Sequence, residues 1–172
     1  MRVFRTIWLV HRWLGVTAGL VLLLTSITGF LLLVKKDYSW LQPTPMTCEE
    51  GPVEELQPLS KVYEAVFALN LPQFRGEEDI LRIDFRPEKR LHKVISRHDD
   101  CEVQVCAISL KTSGPNERRS DWLERLHDGS WLGDFAHDRV MPIVALILLF
   151  LASSGYVMWL YPKWKKLRKQ RN

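Results

Sequence analysis

The sequence predicts a membrane α-helical protein with a small α+β insert: two transmembrane helices flanking an outer domain built as a helix followed by antiparallel strands. Three observations carry this. Residues 13–34 and 140–161 are two uncharged, largely apolar runs of 22 residues each. At 1.5 Å per residue each makes a helix of about 33 Å, enough to cross a hydrocarbon core of about 30 Å. A chain of 172 residues leaves too few others to bury two such helices inside a soluble core. Between the runs, a stretch of helical periodicity gives way to strand-like alternation.

Charge supports the same plan. The net charge of +4 divides into +5 for residues 1–36, −7 for 37–136 and +6 for 137–172. Arg2, Arg5 and Arg12, with the basic tail Lys163, Lys165, Lys166, Arg168, Lys169 and Arg171, predict both termini in the cytoplasm. Lys35 and Lys36 oppose that orientation and are outnumbered. The acidic middle then faces outward, a periplasm if the cell is a Gram-negative bacterium. Basic ends of this kind serve topology and contact with membrane lipid; nothing points to nucleic acid. The first apolar run is too long for a signal-peptide core and no A-x-A site follows Val34, so it is expected to stay as an anchor.

Taken in order, residues 1–36 form the N-terminal transmembrane helix. Trp8 and Trp13 suit an interface, and Gly15 and Gly19 make a GxxxG with Thr25, Thr28 and Gly29 further along. Residues 37–58, with Pro43, Pro45, Pro52, Pro58 and the acids Glu49, Glu50, Glu54 and Glu55, read as an extended linker. The outer domain covers 59–119. Leu59, Val62, Val66 and Leu69 set a helix over 59–70, with Ser60 as N-cap and Pro72 as stop. Strands follow over 80–85, 91–97 and 102–110, and 111–116 is a loop around Gly114-Pro115. Residues 120–139 hold a short helix, capped by Ser120 and running over 121–126, and the outer-face motif LHDGSWLGDFAHDR. The second span is 140–162, with Pro142 in its first turn, a small-residue patch at Ala152, Ser153, Ser154 and Gly155, and Pro162 as its end. Residues 163–172 form the basic cytoplasmic tail. Gly15/Gly19 and Ser154/Gly155 fall at comparable depth and are the expected contact between spans.

Cys48, Cys101 and Cys106 lie in the outward segment, where disulfides persist. Cys101 and Cys106 are five apart and point to opposite faces of one strand, so Cys48 pairs with one or the other.

His11, His127 and His137 stand at span ends. By position alone, a wet structural role is the simpler reading of each; His92 and His98 read as ordinary surface residues. No HExxH, no C-x-x-C-H, no G-x-G-x-x-G and no nucleophile motif is present, which argues against a zinc site, attached c-type haem, a nicotinamide or flavin site, and a Ser/His/Asp centre. What histidines at span ends can do is hold b-type haem by axial ligation. His11 belongs to the inner face and His127 and His137 to the outer, about 30 Å away, so one haem cannot bridge them within a monomer.

HRWLGVTAGLVLLLTSITGFLLL at residues 11–33 and RRSDWLERLHDGSWLGDFAHDRVMPIVALILLFLASSGYVMWLYP at 118–162 resemble the two recurring span motifs of the PepSY-associated transmembrane proteins. The intervening 59–110 has the helix-then-strands order of a PepSY domain. The resemblance implies an inner-membrane protein with a periplasmic PepSY-like domain, in a group linked to iron and siderophore uptake and, in larger relatives, to b-haem electron transfer. It carries haem ligation to His11 and His127, whereas His137 matches the motif less closely. Two spans are fewer than the larger relatives have, so a haem site implies a homodimer or a partner membrane subunit.

The expected function is a b-haem electron-transfer component, a reductase or cytochrome subunit rather than a self-sufficient enzyme. It would deliver electrons to a periplasmic redox protein or a ferric siderophore. The alternative is a non-enzymatic, membrane-anchored PepSY module that grips a periplasmic partner.

Overall fold

A computed structural model describes residues 2–170. The chain divides into two compact units, residues 1–31 with 124–172 and residues 32–123.

The first unit contains the two long helices. Helix α1, Arg2–Leu33, and helix α4, Met141–Gln170, are both long and apolar enough to cross a membrane. Their surfaces keep large apolar side chains outside: Leu20 is 75% exposed and Leu146 66%. Such continuous apolar faces are stable only in lipid, and the protein is a membrane protein. A few small residues are buried instead, namely Ala18, Thr28 and Ser154. Phe4 stacks on Tyr161 at 4.9 Å, and a Cβ on Gly15 would meet Leu151 at 3.9 Å. Partner numbers fall along α4 as they rise along α1, the signature of an antiparallel pair. A Cβ on Gly19 would meet nothing within 4 Å, and Ser154 and Gly155 face His11 rather than the glycines, so the spans touch near the expected depth but through other partners.

Of the two prolines of the second span, Pro142 falls where expected and Pro162 does not. Pro162 lies inside α4, which continues to Gln170 rather than stopping. At a span end, neighbouring groups and water can satisfy the carbonyl that a proline leaves free. Pro142 sits in the first turn of α4, and directly before it Ala136–Val140 winds as a π-helix. A proline ring crowds the carbonyl four residues back, and a widened turn relieves that clash.

The second unit is a four-stranded antiparallel sheet in the order β1-β2-β3-β4, with β1 Ile80–Arg86, β2 Leu91–Ser96, β3 Cys101–Cys106 and β4 Asn116–Glu117. Helix α2, Leu59–Phe67, places Val62 and Val66 against Val94, Val103 and Val105, with Phe74, Ile80 and Cys101 completing the core. Ser60 is not its N-cap: Pro58 occupies that position without a side-chain bond, since its fixed φ already suits a helix start. The helix ends at Phe67, short of residue 70, because Asn70 takes a left-handed turn (φ 51°).

Strict alternation in β1 would put Ile80 and Ile83 on opposite faces. A bulge between Ile80 and Arg82 inserts Leu81, so both isoleucines face α2. Asp99 and Asp100, both at positive φ, make the tight β2–β3 turn, which short polar side chains tolerate. Strand β3 stops at Cys106, before residue 110, where Leu110 turns through φ 57°. Beyond it β4, whose Asn116 falls within the loop expected over 111–116, pairs Glu117 with Cys101.

The other sheet face is polar and buried. Lys93 bonds Glu102 at 3.1 Å, Glu102 also binds Arg118, and Arg118 bridges to Asp121 through both carboxylate oxygens at 3.1 and 3.0 Å. Lys93, Glu102 and Arg118 are each at most 5% exposed. The segment 37–58 is extended only over 43–52, between turns at 37–42 and the 3-10 turn Val53–Glu55, and it is strapped to this face rather than free. Gln104 donates to the Thr44 carbonyl at 3.1 Å and accepts from the Met46 amide, and Gln57 N–H donates to Ala107 O at 2.8 Å. A disulfide joins Cys48 to Cys106, while Cys101 stays reduced and buried on the opposite face. Burial pushes the Cys101 thiol above its ordinary pKa, keeping it protonated and inert.

Helix α3, Arg119–Asp128, starts two residues earlier and ends two later than predicted. Ser120 is inside it, with its amide donating to Leu41 O at 2.8 Å, so it is not a cap.

Candidate functional site

The first unit brings His11 and His127 into two similar settings. His11 Nδ1 lies 2.8 Å from Ser154 Oγ, and the next residue, Gly155, would carry a Cβ 3.7 Å from the ring. His127 Nδ1 lies 3.0 Å from Thr28 Oγ1, and a Cβ on the next residue, Gly29, would come within 3.2 Å of the ring. Each histidine rests on a hydroxyl–glycine doublet of a long helix, His11 on α4 and His127, from the segment before α4, on α1. The glycine lets the imidazole approach the backbone, and the hydroxyl fixes its rotation.

Proton bookkeeping sets the tautomer. Thr28 Oγ1 donates its one proton to the helix carbonyl of Leu24 at 2.9 Å, and Ser154 Oγ donates to Leu151 O at 3.2 Å. With the hydroxyl proton on the helix carbonyl, each oxygen accepts from the histidine, and a neutral ring then carries its proton on Nδ1. This assignment follows from the bonding network. Nε2 is left with a bare lone pair and has no hydrogen bond among the described residues. That is the form in which imidazole ligates a metal, with the second nitrogen anchored.

His137 follows the same rule more loosely. Its Nδ1 donates to the Asp128 carbonyl at 3.0 Å, and the side chain is 48% exposed. Asp128 works as a turn cap, its Oδ1 accepting the Ser130 amide at 2.9 Å, and Gly129 (φ 80°) turns the chain there. Desolvation of Asp128 is outweighed by the Ser130 bonds and the nearby histidines, so its carboxyl titrates below the ordinary range.

The three predicted histidines do not converge. His11 and the Thr28 that holds His127 are 17 residues apart on α1, about 26 Å along a helix. Among the described residues no three metal-binding side chains gather. The residues that suit the imidazoles to ligation, Thr28, Gly29, Ser154 and Gly155, were visible as small-residue patches, but their pairing with specific histidines depends on helix rotation. An apolar hollow of about 420 Å³ runs along α4 beside Gly155, lined by Leu151, Ala152, Tyr156 and Trp159.

His92 departs from its surface reading. It is half-buried, stacked on Phe85 at 4.7 Å with Nδ1 buried and unbonded, and burial lowers its pKa. His98 is exposed and bonds Asp79 at 3.1 Å.

No curated protein and no solved structure matches the chain. The family model of the PepSY-associated TM region matches residues 8–172, nearly the whole chain, and the protein belongs to that family.

Proposed function

We propose that the protein is a b-haem electron-transfer component of the bacterial inner membrane, passing electrons toward a periplasmic acceptor such as a ferric siderophore or a redox protein. The observation that carries this reading is the pair of cross-span histidines, each with Nδ1 anchored and Nε2 bare. The site residues fit haem: neutral imidazole donors, glycines beneath them and apolar surface alongside. His11 and His127 would hold it, with His137 as a further candidate on the side of His127. Bound haem supplies one-electron transfer. The chain's own part is to orient the imidazoles through Ser154 and Thr28 and to keep the surroundings apolar, which tunes the potential. Because His11 and the Thr28 that holds His127 stand far apart along α1, the two histidines cannot share one haem, and a second copy or a partner subunit completes the ligand sets.

The test is a reduced-minus-oxidised visible spectrum of the detergent-purified chain, with His11→Ala and His127→Ala beside it. A b-type α-band that falls by about half in either variant is expected for one haem at each membrane face. Folded protein that stays haem-free despite ample haem supply overturns the reading. It leaves the anchored binding module, for which the unpaired outer edge of β1 is the docking feature.

A further inference from the structure

The second unit contains a cleft of about 580 Å³, within the size range of small-molecule sites, that none of the histidine chemistry uses. Three cations line it, Lys36, Arg86 and Lys89, against one carboxylate, Glu88. Lys36, Arg86 and Lys89 make no salt bridge among the described residues. Lys93 also reaches the cleft, but Glu102 neutralises it from beneath. Gln42, on the wall, has a buried Oε1 with no hydrogen-bond partner. Unpaired cations call for an anion, and an orphan buried acceptor calls for a donor on the same ligand. Phe85 and the neighbouring prolines add an apolar side.

The cleft is tied to the membrane surface by the chain itself. Lys36 follows Leu33, the last residue of α1, by three residues, so it lies at most about 11 Å from the span's end. Between Lys36 and Gln42 stand Tyr38 and Trp40, 51% and 54% exposed, the residue types that settle at headgroup level. The geometry points to a lipid headgroup site: Lys36, Arg86 and Lys89 take the phosphodiester of an anionic phospholipid, and Gln42 Oε1 accepts a hydroxyl of a glycerol-type headgroup. Phosphatidylglycerol has both groups. The assignment is independent of haem binding.

The experiment titrates the full chain in detergent with short-chain phosphatidylglycerol and reads, by native mass spectrometry, the fraction carrying one lipid. Saturable binding of one lipid is expected, without competition from short-chain phosphatidylcholine. Arg86→Gln/Lys89→Gln is expected to weaken it about thirtyfold, the effect of removing two cations next to an anionic headgroup. Lys61→Gln/Arg82→Gln, an equal charge loss at exposed positions outside the cleft, is expected to change it by less than about twofold. Equal weakening by both pairs, or none by the cleft pair, overturns the site. Glycerol 1-phosphate that displaces the lipid at matched concentration assigns the cleft to soluble anions and overturns the lipid assignment.

Discussion

A hydroxyl has one proton, and at Thr28 and Ser154 that proton is committed to the helix backbone. The histidine bonds are therefore directional, and their loss is measurable without reference to any cofactor. Thr28→Val keeps the shape and removes the acceptor; it is expected to destabilise the packing of α3 on α1 by about 0.6–1.7 kcal/mol, taking the range for hydrogen bonds between membrane helices. Thr28→Ser is expected to restore most of this. Unfolding in an SDS titration checks both, and a Thr28→Val chain as stable as the parent removes the bond from the account. His92 makes a second prediction at this scale. Burial lowers its pKa below 6.5, so the folded state prefers the neutral ring, and the unfolded chain binds the extra proton as pH falls. The stability this residue contributes is complete above pH 6.5 and declines as pH drops toward the folded pKa. His92→Phe is expected to flatten that part of the stability–pH profile between pH 7 and 5, measured by urea unfolding.

Among the elements, the strap over 41–57 and the polar sheet face explain each other. A sheet face presenting Lys93, Glu102 and Gln104 needs a cover that supplies partners, and the strap's backbone supplies them for Gln104. Strand alternation, the α2 stripe and the two spans were legible in the sequence because each depends on local periodicity. The strap was not: prolines and acids signal extended chain, while the groups that hold it, Gln104, Ala107 and Cys106, lie roughly 50–60 residues away. The partner of Cys48 was likewise open until β3 fixed which cysteine faces the strap. Glu102 bridges two cations and Lys93 has a single partner, which ranks their substitutions. Glu102→Gln leaves Lys93 buried without a carboxylate and takes from Arg118 one of its two, Asp121 remaining, and is expected to cost about 3–5 kcal/mol; Lys93→Met leaves the Glu102–Arg118 pair intact and costs less. Thermal unfolding of the full chain checks the order. Acid acts on the middle of the strap through Glu49. Bonds from Ser109 and Lys111 bring the Glu49 carboxyl down to about 2, so its contribution is present above about pH 4.5 and is lost as pH falls toward 2. Glu49→Gln is expected to remove that acid-dependent step from a hydrogen-exchange profile of residues 45–52.

At the scale of the whole molecule, charge distribution and the disulfide make one joint prediction about topology. The basic tail and N-terminal arginines favour cytoplasmic ends, while Lys35 and Lys36 pull the other way. If Lys36 serves a headgroup cleft, its charge has a local purpose and need not express orientation. The Cys48–Cys106 bridge closes a separation of 58 residues, which on the chain-entropy account stabilises the fold by about 4 kcal/mol. It persists only where thiols are oxidised. With an outward middle, alkaline phosphatase inserted at Gly114 is expected to be active and a fluorescent protein fused after Asn172 to fluoresce. The parent chain isolated from cells with thiols blocked should carry one disulfide and one free thiol, Cys101. Cys106→Ser should then lower stability by about 4 kcal/mol and Cys101→Ser by less, since the Cys101 thiol only fills core space. An inactive phosphatase together with three free thiols in the parent chain would reverse the orientation. It would also remove the periplasmic acceptor from the electron-transfer reading, because the sheet domain would then stand on the cytoplasmic side.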